Sequence, residues 1–379
     1  MIIPREQLSA EDVRVVVEQF LGEHLNWRIE GYKCDSSTVS QVLVKAAIEG
    51  QTIESICEDL RLNVKSNTVR EQLNGLLDVC ELRTHEAHVN AGLVNCVPTQ
   101  LPRVGLEMAI DLHDEPFYGK TPELRTYACR GEASDGTTYF YRVATLYVIW
   151  RQVRITLAMT YVLPEDSNLS VVHFLLGRMK NLGFRPGVLY ADKEFCEGPV
   201  LRYLKKAHIP AVLACSIRGK TGGTRALCRG RKSYCTTHTF SDGTKARVAV
   251  VATLKIDKTT GKRKRTWLVY VLVGLSWSAK KTRHRYRRRF GIESSYRQFG
   301  YLRARTTSRN PALRFLLMGL GFLLLNIWVK LRFLATHLIE KGPTRLDEDL
   351  FRLHRFIAFL RRAIERTFGT ADSIPIYAR

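Results

Sequence analysis

Between Asp257 and Glu340 the chain carries nineteen lysines and arginines and a single carboxylate, Glu293. A solvated helical surface built for stability mixes charges at i to i+4 spacing, so excluding acids this completely marks a surface meant for a polyanion. The one glutamate inside it is then a candidate functional group. Two further acids close apolar runs, Asp111 in GLEMAIDLHD and Asp192 in GVLYAD, and strand ends are where sites assemble in α/β sheets. Asp114 and Glu115 compete with the first, Glu194 and Glu197 with the second; Asp111 and Asp192 are favoured because each directly follows its apolar run. Carboxylates brought side by side repel strongly unless a cation neutralises them. Three oxygen-only ligands suit Mg²⁺ or Mn²⁺, and two such ions about 3.5–4 Å apart activate a hydroxyl and stabilise the leaving oxygen of a phosphodiester.

Holding these acids together requires a sheet. From Leu101 the apolar period is that of strands: GLEMAIDLHD, TTYFYRVATLYVI and RITLAMTYVL, then the amphipathic helix LSVVHFLLGRMKNLG, the strand GVLYAD, the helix GPVLRYLKKAH and the strand IPAVLACSI. The order βββαβαβ is a three-stranded meander followed by crossovers, and its first and fourth strands are expected to be neighbours, setting Asp111 beside Asp192. After Ile217 the pattern changes to a basic, β-rich insertion with two strand-like runs around the turn TTGKRKR. Helical periodicity returns near Ala279 and runs to about Leu338, with a break expected at Asn310-Pro311.

The first hundred residues differ in kind. They carry nine basic and fifteen acidic side chains, a net of −6, so the remainder carries +29 and the chain as a whole +23. Helical spacing is predicted from Ala10 to His24 and from Ser37 to Ala47. A short helix carrying Ile53, Ile56 and Leu60 then leads through a polar turn to a second one starting at Ser66 or Asn67. Such a pair has the pattern of a helix-turn-helix presenting Asn67, Thr68, Arg70 and Gln72 to a DNA groove; an acidic helical bundle used for dimerisation is the alternative. The expected organisation is a helical N-terminal domain over 1–100, a catalytic core over 101–217 and 279–345 interrupted by the insertion 218–278, and a helical tail over 346–379.

Nine singly spaced cysteines without a CxxC pair, after an N-terminus lacking a signal-like apolar segment, point to a reducing cytoplasm. Cys228, Cys235 and His238 lack regular zinc spacing and a fourth ligand. The apolar run between Arg314 and Lys330 is shorter than the roughly 20 residues that span a bilayer and contains Asn326, so it reads as a core helix and no membrane partner is expected.

Taken with AIDLHDEPFYG, VLYADKEF and YRRRFGIESSYRQFGYLRARTTSRNP, the chain resembles the insertion-sequence DDE transposases over about residues 106–328. The last segment resembles the Y-x2-R-x3-E-x6-K signature of the insertion-sequence-four branch, with Tyr286, Arg289 and Glu293 in register. Its closing lysine falls on Gly300, a departure that leaves Arg297 or Arg303 to supply that charge. The resemblance implies an α/β fold with an RNase H-like core of five mixed strands, and Asp111, Asp192 and Glu293 as catalytic and metal-binding residues using two Mg²⁺ or Mn²⁺ ions. It also implies phosphate contacts from Tyr286, Arg289 and neighbouring cations such as Arg288, where packing of Tyr286 on the core and solvation of Arg289 are the alternatives. In this family an aromatic of the insertion stacks on a flipped base, a role open to Trp267 or Trp277, where burial in a core is the alternative.

The function so implied is cleavage at the terminal inverted repeats of an insertion sequence and joining of the 3′-hydroxyl ends to target DNA. At least a dimer would act in the synaptic complex, in a prokaryotic cytoplasm and associated with the nucleoid. An RNase H-like endonuclease that cuts without joining, and a non-catalytic DNA-binding derivative of a transposase, are the competing readings.

Overall fold

Helix boundaries follow the sequence closely where capping residues are present. In the computed structural model, which describes residues 7–25, 28–31, 34–150, 153–256, 261, 263–290, 299–335 and 351–373, α2 (Ser36–Glu49) starts behind Asp35, whose carboxylate accepts from the Thr38 N–H at 2.7 Å. It stops at Gly50, in the left-handed region at φ 61°. The chain divides into two compact units, one of residues 1–101, 114–143 and 294–379, the other of residues 102–113 and 144–293.

The first unit is mainly helical. It contains α1 (Ala10–Leu25), α2, α3 (Ile53–Asp59), α4 (Ser66–Leu76), α5 (Leu82–Asn95), the single turn α6 (Pro122–Arg125), α10 (Pro311–Ala335) and α11 (Leu353–Phe368). Its core is α10, apolar on nearly every side; the 18-residue window that would suit a membrane by composition is 94% buried against the protein, chiefly by α5 and α2. α11 packs its apolar residues Phe356, Leu360 and Ile364 against α1 and α2. A buried Lys45 joins the pieces, its ammonium 2.9 Å from Glu49, 2.8 Å from Asp59 and 2.8 Å from Glu365. The interruption before α10 is longer than Asn310-Pro311: residues 301–310 are non-helical. Asn310 then caps α10, its side-chain oxygen accepting from Ala312 N at 2.8 Å.

The second unit is built on a mixed sheet. β1 (Val104–Pro116), β3 (Thr137–Trp150), β4 (Val153–Val162), β5 (Arg185–Ala191) and β6 (Ala211–Cys215) lie in the order β4-β3-β1-β5-β6, the RNase H-like arrangement. The pairs β1–β5 and β5–β6 are parallel, each requiring a crossover. These are α7 (Asn168–Asn181), capped by Ser167, and α8 (Gly198–Lys206), with Pro199 in its first turn. The insertion continues the same sheet as β9 (Arg263–Val273), β8 (Lys245–Ile256) and β7 (Tyr234–Thr239), with β9 antiparallel to β6. α9 (Ala279–Phe290) follows β9.

Two strands were not anticipated from the sequence. β2 (Cys129–Ser134) pairs with the start of β3 around Asp135 and Gly136, both at positive φ; the Asp-Gly pair is the hairpin signal that reveals it. β7 is polar and only half-buried, so no apolar run announces it.

Candidate active site

Parallel pairing of β1 with β5 is what assembles the site. The register sets Ala109 opposite Tyr190, and two residues further along each chain stand Asp111 and Asp192. A side-chain period of two therefore puts both carboxylates on the face shared by Ala109 and Tyr190. Asp111 lies within β1 and is nearly enclosed, with a side chain 11% exposed against 38% for Asp192. Asp192 is the first residue past β5, and its carboxylate accepts from the N–H of Lys193 at 2.6 Å, starting a short 3₁₀ turn.

α9 brings the third group. Tyr286 is buried, its ring 4.8 Å from that of Tyr270, and its hydroxyl donates to the carbonyl of Ala191 at 3.0 Å. This anchors α9 one residue before Asp192. One turn on, the Arg289 guanidinium donates to the Tyr286 hydroxyl and to Asp111 Oδ1, both at 3.1 Å, and lies 3.9 Å from Asp192 Oδ2. Arg285 of the same helix pairs with Glu107 of β1 at 2.8 Å. Burial pushes the Asp111 carboxyl above its ordinary range, against the opposing pull of Arg289 and Arg154. Burial also works against the Arg289 charge, but Tyr286, Asp111, Tyr147 and Asp192 more than offset it and raise its pKa. The site is thus a carboxylate pair held next to one fixed cation in a poorly solvated pocket.

Of the competing acids, Asp114 is clamped by Arg142 through two 2.7 Å bonds, and Glu115 is held by Arg303 at 2.5 Å and Arg314 at 3.4 Å. Arg303 is accordingly engaged with Glu115. Asn67 and Arg70 are exposed on α4 and bonded to each other, with Thr68 half-buried beside them. Trp267 is half-buried and lines a cavity of about 960 Å³ together with Asp192, Lys193, Arg283, Tyr286 and Arg287. Trp277 is absent from that lining; Lys281 sits 5.3 Å over its ring. Glu293 and Arg297 lie outside the described residues, as does the side chain of Arg288.

The sequence reading overlooked Lys193, Arg283 and Arg287 on the cavity wall, and Arg154, a buried arginine on β4 whose guanidinium lies 3.9 Å from the Tyr147 ring and bonds Thr145 at 2.8 Å. Nothing in the local pattern separates these from solvated cations. Among the described residues no group of three or more His, Cys, Asp or Glu forms a metal cluster. Asp111 and Asp192 supply oxygen donors only, and the guanidinium beside them shows that the pair already accepts a positive charge. A divalent ion fits that donor set.

Residues 159–327 match the family model described as transposase DDE domain. Over that stretch the chain is similar to a transposase DDE domain. The match includes Asp192 and starts downstream of Asp111, which joins the site through the β1–β5 pairing. The fold is similar to the cryo-EM structure of the piggyBac transposase synaptic complex with hairpin DNA, with a TM-score of 0.55, 10% identity, and coverage of 94% of this chain and 78% of that one. No curated protein matches the chain. At that identity the likeness is one of fold, and it covers both the helical unit and the matched stretch.

Proposed function

We propose that the chain is a transposase that binds the terminal inverted repeats of an insertion sequence, cuts at the element ends and joins the freed 3′-hydroxyls to target DNA. The observation that carries this reading is the parallel register that sets Asp111 and Asp192 side by side against Arg289. Asp111 and Asp192, with Glu293 as third carboxylate, would hold two Mg²⁺ or Mn²⁺ ions, which when bound supply an activated nucleophile and a stabilised leaving oxygen.

The protein's own groups do the positioning. Tyr286 fixes α9 to the end of β5 so that Arg289 faces the carboxylates, where its planar fork is suited to orient a phosphate. Lys193, Arg283 and Arg287 line the adjoining cavity and hold backbone phosphates, while Trp267 offers a ring for an unstacked base. Hydrolysis breaks a P–O bond and leaves a 3′-hydroxyl; in the joining step that hydroxyl attacks a target phosphodiester and displaces a 3′-oxygen. α3 and α4 of the helical unit are assigned to end recognition, and the paired ends require at least a dimer.

Asp192→Asn tests the reading. Asparagine keeps the cap on Lys193 N and removes the charge, so Mg²⁺-dependent cleavage of an element-end duplex should vanish while binding of that duplex persists. Retained cleavage rejects the assignment. Joined products flanked by a short target duplication separate transposition from simple nuclease action.

A further inference from the structure

The acid-free stretch around Glu293 has a counterpart. From Gly198 to Ser241 the chain has no aspartate or glutamate. Within that stretch Arg218, Lys220, Arg225, Arg229, Arg231 and Lys232 are all exposed, and none has a carboxylate partner among the described residues. Six solvated cations without one compensating acid repel one another, so the surface is suited to a polyanion.

The loop that carries the first three of these cations is a built object. The buried Thr224 hydroxyl donates to Ser216 O and accepts from Arg218 N, both at 2.8 Å, Arg225 N bonds Arg218 O at 3.1 Å, and the Arg225 side chain bonds Gly219 O at 2.8 Å. Gly219 and Gly223 adopt positive φ, 97° and 59°, and a side chain at Gly219 would come within 2.5 Å of Gly222 O. Glycine is therefore required there. The loop leaves β6, and its inner wall lines a cavity of about 740 Å³. That cavity shares Lys193, Cys215 and Ser216 with the cavity containing Asp192. Of the acids on its wall, Asp242 is paired with Arg202 at 2.7 Å and bonded by Thr244 at 2.8 Å, and Glu197 has Asn168 Nδ2 at 3.5 Å.

We propose that the Ser216–Arg225 loop and its groove hold the phosphodiester backbone of the DNA strand that runs on from the catalytic cavity. Arg218 and Lys220 would contact phosphates, and Thr224 would keep the loop in shape. The proposal rests on the DNA-processing reading above and names a subsite of it.

The test is fluorescence anisotropy of the full chain with a labelled element-end duplex and with a labelled single strand of the same length, over a salt series. For the doubly neutralised variant Arg218→Gln, Lys220→Gln, two lost phosphate contacts should lower the slope of log affinity against log salt by about 1.4 for a single strand or about 1.8 for a duplex. With affinity at 1 M salt unchanged, that is about 25- to 60-fold weaker binding at 0.1 M. The probe whose slope changes identifies the strand state. Lys205→Gln, Lys206→Gln, on the exposed side of α8, removes the same charge elsewhere and should change binding far less. Thr224→Val keeps every charge and should still weaken binding. Equal losses from both double variants, or none from the loop variant while the native chain binds, overturn the loop assignment alone. A native chain that binds neither probe overturns the DNA-processing reading itself.

Discussion

Arg289→Met is the most informative single perturbation, because it removes the guanidinium while retaining an apolar stem that fills its path. The native side chain is 8% exposed and neutralises Asp111 directly, with Asp192 at 3.9 Å. Removing one partner from a buried ion pair costs about 3–5 kcal/mol; because Asp192 is 38% exposed and screened by solvent, about 3 kcal/mol is the appropriate figure. For a unit of this size each kcal/mol lowers Tm by about 2–4 °C, so melting in EDTA should fall by about 6–12 °C. Mg²⁺ and the guanidinium are alternative neutralising charges for the same carboxylates. Saturating Mg²⁺ at a hundredfold excess over Kd adds about 2.7 kcal/mol to a protein that binds it only when folded, and the variant, freed of a competing cation, should gain more from Mg²⁺ than the native chain. Calorimetry with and without Mg²⁺ measures both terms. An equal drop under the two conditions, or no drop in EDTA, refutes the idea that Arg289 stands in for a metal charge.

Other outcomes follow from the same structure. Lys45→Ala leaves Glu49, Asp59 and Glu365 facing one another and should cost about 3 kcal/mol in urea unfolding, whereas a loss below about 1 kcal/mol would show the network to be solvent-screened. At Gly187 a Cβ would meet the backbone oxygen of Gly105 at 2.6 Å, and no side chain can yield there. Gly187→Ala should therefore force β5 from β1 at a cost of about 1–3 kcal/mol and reduce cleavage more than DNA binding. Asp111 has a raised folded-state pKa from burial, so its contribution to stability is fully present below its unfolded pKa and is lost as pH rises through the folded value. Metal capture needs the ionised form, so cleavage at limiting Mg²⁺ should climb as pH rises above the ordinary carboxylate range, and saturating Mg²⁺ should shift that limb to lower pH. Trp267→Ala should impair processing of the element end more than its binding, read from single-turnover cleavage beside anisotropy.

Much of the scaffold was legible because its signals are local. The apolar period that ends at Asp192 is reproduced by β5, whereas β1 runs on past Asp111 to Pro116 and so sets that acid inside the strand rather than at its end. The polar turn before Ser66 separates α3 from α4, and the run from Arg314 to Lys330 is a buried helix. β2 escaped because its residues carry no alternating apolar pattern beyond the Asp135-Gly136 turn. β7 escaped because a half-buried strand such as Tyr234–Thr239 gains its place from backbone pairing with β8 rather than from side-chain burial. The interruption at 301–310 escaped because it is held by distant partners, with Arg305 N bonding Gln51 O and Asn310 bonding Leu77 O.

Residue types alone point to a polyanion as partner and to carboxylates as candidate site groups: charge segregation and an isolated glutamate are properties of composition along the chain and need no coordinates. Which carboxylates act together is a different kind of fact. Asp111 and Asp192 are eighty-one positions apart in sequence and become neighbours only because β1 and β5 pair in parallel and in register. The choice of Arg289 from among so many arginines depends on a hydroxyl of Tyr286 tied to a carbonyl at the end of β5. Hydrogen-bond register and burial are long-range properties, and it is the tertiary structure that assigns them to particular side chains.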